Sequence, residues 1–124
     1  MQDFRKLKIW ESAHALALAV YRLTRKFPKE EQYGLTSQIR RASMSIPANI
    51  AEGCGRQGDP EFARFLQIAM GSASELDYEL LLARDLQYLA PDAYEEVASD
   101  LASLRRMINA MLGKLRSKPI ANSQ

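Results

Sequence analysis

A chain of 124 residues has room for one domain, and at that size roughly two thirds of the unfolded chain's surface is buried on folding, enough for one core without staples. A hydrophobic share of 47% and a charged share of 26% exclude wholesale disorder and collagen-like fibre. One Cys excludes an internal disulfide framework and one His excludes a His-rich metal site, while 17 basic against 15 acidic residues, a net of +2, select neither a nucleic acid nor a membrane.

The first six residues carry charge with no apolar segment after them, so no secretory signal is expected. The longest uncharged runs, 12–21, 42–51 and 65–74, are about half of the roughly 20 residues a membrane span needs. A reducing, cytoplasmic setting is the expectation, with no membrane partner. Ile9, Ala13, Leu16, Val20, Leu23 and Phe27 then alternate steps of 4 and 3, which places one apolar stripe on a first helix. Phe27-Pro28 ends it, because proline disfavours helical geometry in the residue before it.

After Gly34 the stripe resumes with Leu35, Ile39, Ala42, Ile46 and Ile50, and Gly53, Gly55 and Gly58 stop it. Asp59-Pro60 is a helix start, followed by Phe62, Leu66, Ala69, Ala73, Leu76, Leu80 and Ala83 at the same spacing. Leu89-Ala90-Pro91-Asp92 is the last break, with Asp92 and Glu95 spaced like a capping box. Tyr94, Val97, Leu101, Leu104, Ile108, Met111 and Leu115 mark a fourth helix. No run alternates with strand period. The expected fold is all-α: an antiparallel, up-and-down four-helix bundle, with helices at roughly 7–27, 35–53, 60–89 and 92–117 in a domain 1–118. A short polar tail, 119–124, is expected to fray.

Pro47 interrupts the second stripe, where it removes a backbone hydrogen bond and crowds the carbonyl of Ser43, at a cost of about 3 kcal/mol in an ordinary helix interior. Ser43 or Ser45 can satisfy backbone groups freed there, and Asn49, if buried, must be hydrogen-bonded. The segment reads first as a kinked core helix tied down by its own polar residues. A ligand site around Ser45, Asn49 and Glu52 is the alternative.

The order Phe4, Leu7, Trp10, Phe27-Pro28, Tyr33-Gly34-Leu35, Gln38-Ile39-Arg40-Arg41-Ala42, Ser45-Ile46, Asn49-Ile50-Ala51-Glu52-Gly53, Phe65-Leu66, Gly71-Ser72 and Glu75-Leu76 resembles the bacterial four-helix-bundle family of ribosomal RNA intervening-sequence proteins. That family is related to the accessory variability protein of diversity-generating retroelements. The string Ser45-Ile46-x-x-Asn49-Ile50-Ala51-Glu52-Gly53 is its specific part; Pro47 occupies a position the motif leaves open. The resemblance implies a four-helix bundle that assembles as a ring, typically a homopentamer. It also implies no enzymatic activity, and binding of nucleic acid or of a nucleic-acid enzyme through basic surfaces. The ribosomal name reflects genes found inside ribosomal RNA insertions and does not establish a ribosomal role.

Candidate chemistry is sparse. A di-metal carboxylate site needs Glu-x-x-His twice, and Glu11-x-x-His14 supplies it once. Cys54, in a Gly-rich turn that could expose it, has no base assigned to it. The cluster Gly53-Cys54-Gly55-Arg56-Gln57-Gly58 lacks the Gly-Lys-Ser/Thr ending of a P-loop. No catalytic residue, cofactor or metal is expected. Charge is more informative by segment: +4 over 1–60, −7 over 61–100 and +5 over 101–124. Arg22, Arg25, Lys26, Arg40, Arg41, Arg105, Arg106, Lys114 and Arg116 are the candidate nucleic-acid residues, and in a ring such patches would repeat. Surplus apolar residues off the stripes suggest a second buried face: Leu7, Trp10, Ala17, Leu18 and Tyr21 in the first helix, and Phe65, Met70, Leu81 and Leu82 in the third. The expected function is a ring-forming partner of RNA, DNA or a nucleoprotein; the alternative is a protein scaffold that binds no nucleic acid.

Overall fold

The structure, a computed structural model, describes residues 3–117, so the tail 119–124 lies outside the described residues. Four helices make up the described chain: α1 (Lys8–Thr24), α2 (Leu35–Cys54), α3 (Asp59–Asp85) and α4 (Pro91–Arg116). Each packs against its sequence neighbours and α1 closes the square on α4, while among the described residues the backbones of the diagonal pairs lie farther apart. The neighbours are antiparallel: Thr24 near the end of α1 meets Arg40 near the start of α2, and Ser12 near the start of α1 meets Met107 late in α4. Among the described residues there is no strand, and the all-α four-helix bundle stands as expected.

The 3-and-4 stripes form the core. Ile9, Ala13, Leu16 and Val20 of α1 face Ile39, Ile46 and Ile50 of α2, Leu66, Leu76 and Leu80 of α3, and Leu101, Leu104 and Ile108 of α4, all buried. On α4 the buried residue near the end is Leu112, with Met111 only partly covered. Part of the expected apolar surplus is covered within the single chain, since Ala17 and Phe65 are buried, the latter under Arg56 and Arg64.

Helix ends depart from expectation for local reasons. The first helix was expected to reach residue 27 and stops at Thr24. Thr24 Oγ1 donates back to the Val20 carbonyl at 2.8 Å, and the amides of Arg25, Lys26 and Phe27 bond three residues back, tightening the chain into a turn. Phe27 remains buried, its ring 5.7 Å from that of Tyr88. The third helix was expected to reach residue 89 and stops at Asp85, because Tyr88 N–H reaches the Ala83 carbonyl and Gln87 N–H the Arg84 carbonyl, both at 2.9 Å. This is a Schellman motif with Gln87, at φ +65°, in the left-handed position that usually belongs to glycine. The capping box at Asp92 and Glu95 does not form: Pro91 begins α4, Ala90 is its N-cap, and Asp92 accepts from its neighbour Ala93 N–H at 2.9 Å. At α3 the N-cap is Gly58, whose φ of +84° is readily reached only by glycine, and Pro60 sits in the first turn.

The α2–α3 pair makes the most extensive contact in the bundle. A Cβ placed on Gly53 would lie 2.8 Å from Phe62 Cδ1 and 3.0 Å from Phe65 Cβ, so glycine permits the approach of the two helices at their short connector. Gly53→Ala is expected to lower stability by about 1–3 kcal/mol through overpacking. Gln87→Gly is expected to raise it by about 1 kcal/mol by relieving the left-handed backbone. Urea midpoints of the two variants, moving in opposite directions from the parent, check both.

Candidate functional site

The motif in α2 is a structural tie. The helix runs on through Pro47, which is buried. Ser43, fully buried, donates its hydroxyl to the Arg40 carbonyl at 2.9 Å. Asn49 Nδ2 donates to the Ser45 carbonyl at 2.8 Å and to Ser45 Oγ at 3.0 Å, and Ser45 Oγ shares a 2.7 Å hydrogen bond with Ser72 Oγ of α3. Side chains either side of Pro47 therefore bond to their own helix and to its neighbour. Glu52 is exposed and pairs with Arg56 at 3.0 Å, a contact worth little in water.

The nine candidate basic residues do not form one surface. Arg105, Arg106, Lys114 and Arg116 lie in the second half of α4, at the opposite end of the bundle from Arg25, Arg40 and Arg41. Arg105 is also committed: Nη1 donates to Asp77 Oδ2 and Nη2 to Ser74 Oγ, each at 3.1 Å, strapping α4 to α3. Arg22 and Lys26 line a hollow of about 340 Å³ between α1 and α4, together with Glu96 and Asp100, so its lining carries both signs of charge.

Arg25, Arg40 and Arg41 do come together, with Lys29 from the first connector, on the outer side of α1 and α2. Arg40 is the fixed member. Its Nε donates to Thr24 Oγ1 at 2.8 Å, its Nη2 donates to the Tyr21 carbonyl at 3.3 Å, and its guanidinium lies 4.7 Å from the centre of the Tyr21 ring. Tyr21 O and Thr24 belong to the last turn of α1, where carbonyls lack helical donors and the macrodipole favours a cation. Arg40 thus caps α1 from α2, and most of its N–H groups stay available. Two shallow hollows, about 420 and 200 Å³, open beside it and share Gln32, Thr36 and Arg40. Lys29, Tyr33 and Thr36 were not singled out as binding residues in the sequence. The one available signal was Tyr33, an aromatic directly after the polar run Lys29-Glu30-Glu31-Gln32.

The remaining chemistry is inert or buried. Cys54, expected in an exposable turn, is the last residue of α2 and is buried; burial, then the Asp3 charge, push its thiol up and away from the thiolate a nucleophile needs. His14 is exposed and stacks on Trp10 with ring centres 4.8 Å apart. Among the described residues no three His, Cys, Asp or Glu side chains gather as metal ligands would, and no helix is long and apolar enough to cross a membrane.

Fold and surface together define a small helical-bundle protein with a cationic, tyrosine-lined hollow among the described residues. The profile of the 23S rRNA-intervening sequence protein family matches residues 5–110, and the chain belongs to that family. A crystal structure of a protein of unknown function from the S23 ribosomal protein family of Bacteroides thetaiotaomicron has the same fold: TM-score 0.78, 24% identity, covering 84% of this chain and 97% of that one. No curated protein matches the chain. None of these descriptions is that of an enzyme.

One titratable group was invisible in the sequence. Glu79 of α3 is 7% exposed, its Oε1 has no partner among the described residues, and burial followed by the Glu75 charge pushes its carboxyl up to about 7. The folded protein therefore holds a proton there that the unfolded chain releases between the ordinary value of 4.5 and about 7, so stability falls as pH rises through that window. At one pH unit per about 1.4 kcal/mol, the charged form costs on the order of 3 kcal/mol. Glu79→Gln is expected to be about 1–3 kcal/mol more stable than the parent near pH 8 and nearly equal to it near pH 5, read from denaturant unfolding at both.

Proposed function

We propose that the protein is a non-enzymatic cytoplasmic partner of nucleic acid or of a nucleoprotein, working as a ring of identical chains. The observation that carries the binding reading is the convergence of Arg25, Lys29, Arg40 and Arg41 beside two tyrosines on one side of the bundle. Arg25, Lys29 and Arg41 are exposed, and among the described residues no side-chain bond ties any of them down. Cations of that kind displace counterions from a phosphate backbone, so affinity falls steeply with salt. The α4 bases Arg106, Lys114 and Arg116 are exposed as well and form a second, remote contact region.

Two features support assembly. Leu18, Met44, Ile68, Tyr78 and Leu86 remain exposed after the single-chain core is complete. The acids also concentrate on α3 and the first half of α4 while the bases concentrate on α1, α2 and the second half of α4, a separation that suits a head-to-tail contact between copies. The pentamer follows from the family resemblance.

Fluorescence anisotropy with labelled RNA and DNA is expected to show binding that weakens on a log–log salt plot. Replacing Arg25, Lys29 and Arg41 with alanine should reduce that slope by about 0.7–0.9 per residue removed. No affinity at low ionic strength would sink the binding reading. Light scattering at micromolar concentration should return a multiple of 14.0 kDa, and a monomer mass would sink the ring.

A further inference from the structure

We propose that the double hollow beside Arg40 receives an unstacked base of a single-stranded nucleic acid, while the cations on its rim hold the flanking phosphates. The inference rests on the nucleic-acid reading above and narrows it from a charged surface to a nucleotide pocket. Three observations carry it.

Tyr33, 89% exposed as a residue, lines the larger hollow. An aromatic face in water next to cations is the platform on which single-stranded binders stack bases, irrespective of sequence. The Arg40 guanidinium, which lines the same hollow, is pinned by Thr24 and the Tyr21 carbonyl, rests on the Tyr21 ring and offers a second flat, fixed surface.

Thr36 sits where the two hollows meet. It is 8% exposed and its Oγ1 has no hydrogen-bond partner among the described residues. Oγ1 itself has almost no exposed area, so it stays an unpaired buried hydroxyl until a turn about χ1, to the other rotamer open to a helical threonine, brings it out to a base edge or sugar oxygen in the hollow. Ser37 and Gln32, which also line the hollow, can donate and accept beside it.

The arrangement of charge fits an extended strand. Lys29 and Arg25 border the smaller hollow and Arg41 the larger, so cations lie on both sides of Thr36 and Arg40. The larger hollow, about 420 Å³, falls within the roughly 300–1,000 Å³ of small-ligand sites. A duplex keeps its bases stacked inward and could use only the cations; a single strand can use the cations, the stacking faces and Thr36 together.

The test uses the full chain and four labelled probes of about a dozen nucleotides: single-stranded oligouridine, single-stranded oligothymidine, a base-free strand of the same phosphate spacing, and a duplex. The expected result is at least about ten-fold tighter binding of one of the base-bearing single strands than of the base-free strand and the duplex. Tyr33→Ala should remove about ten-fold from that strand alone, and Thr36→Val several-fold. Because Tyr33 is almost wholly exposed, its variant keeps the fold, and an unchanged thermal melt confirms it. Equal affinity for all four probes, unmoved by Tyr33→Ala, overturns the nucleotide pocket and leaves the electrostatic reading intact. Failure of every probe to bind at low salt overturns both.

Discussion

At Gly53 the missing side chain sets how near α2 and α3 can lie. Phe62 and Phe65 occupy the space a Cβ would need, and the four-residue connector that follows keeps the two helices in register. About two turns away from this contact the Ser45–Ser72 hydrogen bond repeats the fixing, with Asn49 bracing Ser45 from its own helix. Pro47 lies between these points, where a helix lacks one backbone bond, so the weakest stretch of α2 is flanked by its firmest attachments. Once α3 is placed, Asp77 and Ser74 receive Arg105 and thereby place α4. The helical hairpin α2–α3 is the frame on which the other two helices are hung.

At the far end of α2 the ordering device is polar. Arg40 reaches the last turn of α1 and donates to the Tyr21 carbonyl, which the Thr24 hydroxyl also approaches at 3.2 Å, while Thr24 accepts from Arg40 and donates to Val20 through one oxygen. A single side chain thus ends one helix, joins it to the next and presents a guanidinium at the surface. The same residue borders both hollows, so the part of the surface with cations and aromatic rings is built on a structural joint and inherits its rigidity.

The alternation of 3 and 4 made the helices and nearly the whole core legible, because burial on one stripe is a property of spacing alone: Phe62, Leu66, Ala69, Ala73, Leu76, Leu80 and Ala83 are all buried. The ends were less legible, since they depend on which hydrogen bond closes the last turn. Nothing about Gln87 announces a left-handed residue, and Thr24 ends a helix through a bond to its own backbone three residues before the Phe27-Pro28 signal. Asp92 and Glu95 had the spacing of a cap without the position, because Pro91 starts the helix before them. The candidate site was half legible. Basic residues can be counted along a chain, but Arg22 and Arg25 are three apart in sequence and turn toward different neighbours, one toward the acids of α4 and one toward α2. Thr36 and Glu79 carry no mark in sequence, since a hydroxyl or carboxyl without a partner exists only once the helices around it are in place.

Glu79 also makes the folding reaction exchange matter with the solvent. A carboxyl whose folded value is about 7 is roughly half protonated at neutral pH, whereas the same group in the unfolded chain is almost wholly ionised. Each chain that folds near neutrality therefore takes up roughly half a proton at this one position. The buffer must release that proton, and its heat of ionisation enters any calorimetric enthalpy of folding. An enthalpy measured in a buffer with a large ionisation heat would differ from one measured in phosphate, although no contact in the protein had changed.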